Sequence, residues 1–288
     1  MEQRTKDLEK QLREDYLKVL KDINGEISAI YEKYEKSGVL TYNEMKKYER
    51  LSSLKKKVNK YLDELYKTSY RAISQGIETE YVESYRYMAY SLEMVSKAVI
   101  KYDQLTEKII QSALDNPITG LTLTDTLEKN RQNIIYDINR TITKGIYDGK
   151  TYGGMAKEIK KVLNNDYEKA VVVARTETHR VNEQGKNESA MVAHNQGIKQ
   201  VKKWVSMRDS RVRMMHREMD GVEVPLDEDF EMPDGTTGPC PGSMGSAKHD
   251  IHCRCFTRRK IASIEKKTDE DNEIFDTTYA EWIKNKKI

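Results

Sequence analysis

The side chains able to do chemistry are crowded into one stretch. Between Trp204 and Thr257 lie all three cysteines (Cys240, Cys253, Cys255), three of the five histidines (His216, His249, His252) and four of the five prolines. Thiolate together with imidazole favours zinc. One residue separates Cys253 from Cys255, which is tighter than the usual zinc-finger knuckle, and no second pair follows. The segment IHCRCFTRRKIA reads as a strand, on which Ile251, Cys253 and Cys255 share one face. Both sulfurs could then meet His216 and one further ligand. The candidate zinc set is His216, Cys240, His252, Cys253 and Cys255, with His249 a further residue of compatible type. A structural zinc is the one cofactor indicated. The competing explanation is that the cysteines pack as small buried hydrophobes.

A second constellation overlaps the first. Asp209, Arg211, Arg213, His216 and Asp220 could be a catalytic cluster with His216 as general base. The same residue types also make ion-pair frameworks, because an arginine fork matches a carboxylate. No nucleophile motif accompanies them, so the framework reading is preferred and no catalytic residue is assigned. The expected network is Arg175, Glu177, Asp209, Arg211, Arg213 and Asp220. The alternative of another class is a metal-dependent hydrolase or nuclease built on His216, Cys253 and Cys255. A metal site open to solvent would favour that alternative, and a closed, packed site would favour architecture.

The elements that must position these residues are mostly helices. Tyr16, Leu20, Ile23, Ile27, Ile30 and Tyr34 lay one apolar stripe on a helix ended by Ser37-Gly38. Thr41 and Glu44 form a capping box ahead of a second stripe, Leu51, Leu54, Val58, Leu62 and Leu65, which predicts an antiparallel hairpin. Helical spacing continues through Tyr81, Tyr85, Met88, Leu92, Val95, Val99 and Tyr102 to about Leu114, as one helix or as two broken near Gly76. Asp115-Asn116-Pro117 interrupts it. Thr124-Asp125 opens a further helix, MAKEIKKVL a short one, and Asn164-Asn165-Asp166 a longer one that Gly197 stops. After Gly197 the chain turns to strand (IKQVKKWVSM), a helical turn (RVRMMHREM) and a Gly- and Pro-rich loop.

The fold class is therefore α+β, mostly helical, with elongated N-terminal helices and a small C-terminal module containing the cysteines and histidines. The segments are a helical N-terminal region (1–114), a helical central region (115–197), the α+β module (198–260) and a polar linker with an amphipathic tail (261–288). Within that tail Phe275, Tyr279 and Trp282 sit four and three apart, a layout that would suit a partner's groove or a return onto the chain's own domain.

Bulk composition narrows the classes. Charged residues make up 34% and hydrophobic ones 37%, and the mean hydropathy is −0.81. The formal charge of +3 is too small to argue for nucleic acid by itself. Two basic groups, Lys46-Lys47 with Lys55-Lys56-Lys57, and Arg254, Arg258, Arg259 and Lys260, allow non-specific DNA contact as a secondary expectation. No apolar run approaches a membrane span and the charged start lacks a signal-peptide core, so no membrane and a reducing compartment are expected. Three cysteines cannot all pair within one chain. Eighteen tyrosines against three phenylalanines suit half-wet helix surfaces.

Three pieces stand in a fixed order. They are Arg175-Thr176-Glu177 on a helix, a Trp204 strand running to Asp209-Ser210-Arg211-Val212-Arg213 with His216 and Asp220-Gly221 behind it, and a closing Cys253-Arg254-Cys255. In this order, from about Leu121 to Thr257 and including GIYDGKTYGGMAKEIKKVL, they resemble the phage Mu F-like, head-morphogenesis family of minor capsid proteins. That family often carries Thr where Val212 stands, and Pro or Asn where Ile251-His252 precedes the closing triplet. Segment 198–260 would complete the Mu F-like domain. The resemblance implies a structural minor head protein of a tailed phage, not an enzyme, assembled in the host cytoplasm and resident in the virion, inside the head near the portal vertex. Its implied partners are the portal protein and capsid or scaffold proteins, and its implied roles are procapsid assembly, DNA packaging or genome delivery.

Overall fold

A computed structural model describes residues 2–115, 122–265, 276–286 and 288. It is mostly helical with a small sheet near the C-terminus, the α+β class expected. The elements are α1 (Glu2–Tyr34), α2 (Tyr42–Lys46), α3 (Arg50–Ser96), α4 (Glu107–Leu114), α5 (Leu123–Tyr147), α6 (Tyr152–Asn195), β1 (Ile198–Val205), α7 (Met214–Glu218), β2 (Glu223–Pro225), β3 (Phe230–Glu231), β4 (Thr237–Gly238), α8 (Ala247–Asp250), β5 (Phe256–Ile264) and α9 (Tyr279–Asn285). Two compact units result. One comprises Glu2–Ser74 and Leu123–Ala174, the other Gln75–Thr122 and Arg175–Ile288. The long helices α3 and α6 each contribute to both, so segments 1–114 and 115–197 are each divided between the units.

The first unit is helical. Leu8, Leu12, Tyr16, Val19, Ile23, Ile27 and Tyr31 form the buried face of α1, while Leu20, Ile30 and Tyr34 are only half-buried at its margin. Arg50 lies over the Tyr34 ring, and Lys57 and Tyr61 both reach Glu26, so α1 and the start of α3 pair antiparallel as the hairpin reading predicts. The connection is longer than expected, with α2 standing between α1 and α3. Thr41 caps α2 by accepting from Glu44 N, but left-handed Tyr48 and Glu49 kink the chain before α3 begins. Arg131 to Asp63 and Asn139 to Asn59 lay α5 against α3. The buried Asp166 accepts from Tyr16 Oη at 2.7 Å and Tyr66 Oη at 2.8 Å, joining α6 to α1 and α3. Tyrosine therefore serves both environments: Tyr48 and Tyr147 are exposed, whereas Tyr16, Tyr31 and Tyr66 are core.

One break left open and one expected do not occur. The helix α3 passes Gly76 without interruption and ends at Ser96, after which Lys97 takes a left-handed φ; Val95 is 73% exposed, not on a buried stripe. Likewise α6 runs unbroken through Asn164-Asn165-Asp166, because the buried tyrosine hydroxyls take up the Asp166 carboxylate that would otherwise have capped a new helix. Asn116 and Pro117 lie outside the described residues.

The second unit carries the sheet, in the order β2-β1-β5 with both pairings antiparallel, and a separate β3-β4 hairpin. Alternation along β1 turns Ile198, Gln200, Lys202 and Trp204 to the core. Two of these are polar and each finds a carbonyl: Gln200 Nε2 donates to Ala190 O and Lys202 Nζ to Pro239 O. Here α3 and α6 pack closely. A methyl group on Gly185 would sit 2.4 Å from Ser84 Oγ and 2.7 Å from Tyr81 O. Arg180 is buried on α6 and fixes α4 by donating to Ala113 O and Leu114 O, with Glu177 and Gln184 completing its bonds. Of the tail, Phe275 lies outside the described residues. Trp282 is 5% exposed and packs with Ala89 and Ile288, and its Nε1 donates to the buried Glu93. The Tyr279–Trp282 face is thus turned to its own unit, so the reading of it as a free docking face is replaced by intramolecular packing.

Candidate metal centre

His216 sits near the end of α7, a helix started at Arg213 and closed at Met219. Arg213 donates to His249 O at 2.9 Å and also to Ile251 O, which ties α7 to α8 and to the segment that leads into β5. That segment is not a strand. β5 begins at Phe256, and His252 adopts a left-handed backbone (φ 59°) while its N–H donates to Thr176 Oγ1. The turn at His252 sends its own ring to solvent and Cys253 and Cys255 inward.

The result is a group of three. His216, Cys253 and Cys255 are all buried, and one ligand atom from each lies within 4.8 Å of the others. His216 Nδ1 stands 3.4 Å from Cys255 Sγ and 3.7 Å from Cys253 Sγ. The opposite edge of the ring faces His249, with Nε2 3.3 Å from His249 Nδ1, and His249 Nε2 lies 3.0 Å from Asp234 Oδ2. Lys248 and then His249 hold the Asp234 carboxyl well below the usual carboxylate range. The Cys253 thiol, donating to its neighbour, lowers the Cys255 thiol, helped by His216 and the Trp204 indole; Cys253 is raised correspondingly. Trp204, Phe230, Met219, Met232 and Met244 wall the group, with the Trp204 ring edge-on to His216 at 5.6 Å.

Two members of the expected ligand set lie elsewhere. His252 is exposed, because its left-handed turn points it outward. Cys240 is buried near Lys202, Arg259 and Glu183, and burial followed by the Glu183 charge pushes its thiol up to about 12, so it behaves as a small inert side chain. Sequence spacing did not single out Asp234 or the second-layer place of His249. The signal, a histidine on the short α8 four residues before the closing triplet, carries no period.

The expected ion-pair network resolves into separate pieces. Arg254 forks onto Asp209 with bonds of 2.7 and 2.6 Å, and Arg211 adds its N–H and a 3.3 Å contact. Arg254 chiefly, then Arg211, holds Asp209 well below the usual range. Asp220 accepts from Ser206 N at 2.9 Å and approaches Arg208. Glu177 pairs with Arg180, Arg213 with backbone carbonyls, and Arg175 lies exposed on α6. His216 bonds neither Asp209 nor Asp220, since both ring nitrogens are engaged. Of the basic group on the closing segment, Arg258 and Lys260 are exposed, whereas Arg259 is turned inward beside Glu183. Glu183 itself, although burial would raise it, is lowered by Lys186, Arg259, His179 and the Thr257 donors.

Comparison with known proteins identifies the family. Residues 136–258, which cover α6, β1, β2 and the Cys/His group and end within β5, match the family described as Phage Mu protein F like protein. The minor head protein GP7 of Bacillus phage SPP1 is 34% identical over 286 residues, 97% of this chain and 92% of its own length. The chain belongs to the Mu F-like family of phage minor head proteins. An NAD(+)–arginine ADP-ribosyltransferase of Enterococcus faecalis is 27% identical over 277 residues, 94% of this chain but 56% of that protein. No solved structure matches. The protein is a minor head protein, hence a virion component with partners in the capsid. Among the described residues no helix is long and apolar enough to cross a membrane.

Proposed function

We propose that this minor head protein docks at the portal vertex inside the phage head and assists procapsid assembly, DNA packaging or genome delivery. The observation that carries the proposal is the near end-to-end similarity to the minor head protein of phage SPP1. Its contribution is architectural. The Cys/His group is buried behind Trp204, Phe230 and three methionines, an arrangement that suits a structural role. The exposed Arg258 and Lys260 on β5 offer phosphate contacts for a weak, salt-sensitive association with packaged DNA. Crosslinking of assembled heads followed by mass spectrometry tests the placement. Crosslinks between this chain and the portal protein are expected, and crosslinks confined to the major capsid protein in heads containing both would overturn it.

A further inference from the structure

The tautomers of the buried histidines follow from one another. Asp234 is ionised and can only accept, so it takes the His249 Nε2–H. In its neutral form His249 then has an acceptor at Nδ1, which lies 3.3 Å from His216 Nε2. The other ring nitrogen, His216 Nδ1, faces two sulfurs. One imidazole nitrogen and two sulfurs converging in a buried pocket make a fitting set of metal ligands, with the far ring nitrogen held by His249 and, behind it, the Asp234 carboxylate.

The distances match an ion of one kind. With zinc–sulfur bonds of ~2.3 Å, zinc–nitrogen bonds of ~2.05 Å and tetrahedral angles, the nitrogen–sulfur edge is ~3.6 Å. The two observed edges, 3.4 and 3.7 Å, bracket it. Charge matches as well. Two thiolates and a neutral imidazole cancel a divalent ion, so the assembly carries no net charge into a site walled by Trp204 and methionines. Among the described residues no fourth His, Cys, Asp or Glu joins the group, and Cys240 lies apart from it.

We propose that His216 Nδ1, Cys253 Sγ and Cys255 Sγ bind one zinc ion, and that His249 and Asp234 orient His216. The ion ties α7 to the chain leading into β5 and so closes the small α+β module, independently of where the protein sits in the head. Both sulfurs bind as thiolates, so any thiol proton is released to solvent on binding, and the sulfurs stay unoxidised.

The test uses the full-length chain, purified in chelator-free buffer from zinc-supplemented medium. About one zinc per chain is expected by elemental analysis, and a strong chelator should remove it while lowering the melting temperature. Cobalt substituted into the stripped protein should show thiolate-to-metal charge-transfer absorption. Cys240→Ser should keep full metal content. Cys255→Ser should lose it, and His249→Ala should keep the stoichiometry but weaken affinity by about 10–100-fold. If Cys255→Ser fails to fold, chelator and cobalt measurements on the wild-type chain decide the matter. Folded wild-type protein without zinc, or zinc held equally well by Cys255→Ser, overturns the proposal.

Discussion

Replacing Trp282 by alanine should undock the end of the chain while leaving the rest of its unit folded. The indole is 5% exposed, stands edge-on to Tyr90 at 5.7 Å and stacks beside Tyr279. Its Nε1 donates to Glu93 Oε2 at 2.7 Å, while Glu93 Oε1 takes Lys286 Nζ at 2.6 Å and Ile100 N at 2.8 Å. Truncating a buried tryptophan costs about 3–5 kcal/mol, of which the bond to a charged acceptor supplies about 1.5–3 kcal/mol. Seven residues of α9, even with the capping box at Thr278 and Glu281, are far too few to hold a helix alone. The loss therefore appears as local opening. At tenfold per 1.4 kcal/mol, amide exchange over Tyr279–Asn285 should accelerate by about two to three orders of magnitude. Exchange at Ile100 should follow, because Glu93 loses a partner, while the main thermal transition moves little. Trp282→Phe, which keeps a ring but loses the donor, should fall between. Hydrogen-exchange mass spectrometry reads all three. Wild-type protection across α9 in Trp282→Ala would refute the docking argument, and cooperative loss of the whole unit would refute its local character.

Other consequences are equally direct. Burial raises the Asp166 carboxyl above its usual value against the opposing pull of the Tyr16 and Tyr66 hydroxyls. The folded state therefore binds that proton more tightly than the unfolded chain, and the associated stability is complete below about pH 3.9 and is lost as pH rises through the folded value. Asp166→Asn should remove this slope, and melting curves of both proteins across pH 3–8 with equal slopes would contradict it. Gly185→Ala should destabilise by about 1–3 kcal/mol in urea unfolding, since backbone at Tyr81 O blocks the new methyl. Arg180→Ala strips a buried group of bonds to Glu177, Gln184 and two α4 carbonyls, and a loss of about 3–5 kcal/mol is expected by the same assay.

Much of the helical body was legible in the chain. Leu54, Val58, Leu62 and Leu65 are buried as their spacing required, because a 3.6-residue period leaves little freedom about which face turns inward. Helix ends were less legible. Asp166 and Asn164 look like a helix start, and only the two tyrosine hydroxyls contributed by α1 and α3 convert Asp166 into a mid-helix residue. β1 misleads in a different way, since Gln200 and Lys202 face the core and their carbonyl partners lie in other elements. Tyr279 and Trp282 have the spacing of a docking helix, and nothing local distinguishes a partner's groove from the chain's own α3.

The sequence by itself determined the α+β class, the ordered motifs of a Mu F-like minor head protein, and the concentration of cysteine and histidine at its close. Only the tertiary structure decided which of those residues meet. His216 reaches sulfurs 37 and 39 positions away because Arg213 fastens α7 to the chain before Cys253, and because a left-handed turn at His252 throws its own ring out and its neighbour's sulfur in. Asp209 likewise finds Arg254, 45 positions on, and not the arginine or glutamate of α6. Contacts across such spans depend on the path of an aperiodic loop, and that path is fixed by packing and by individual hydrogen bonds that leave no repeat in the sequence.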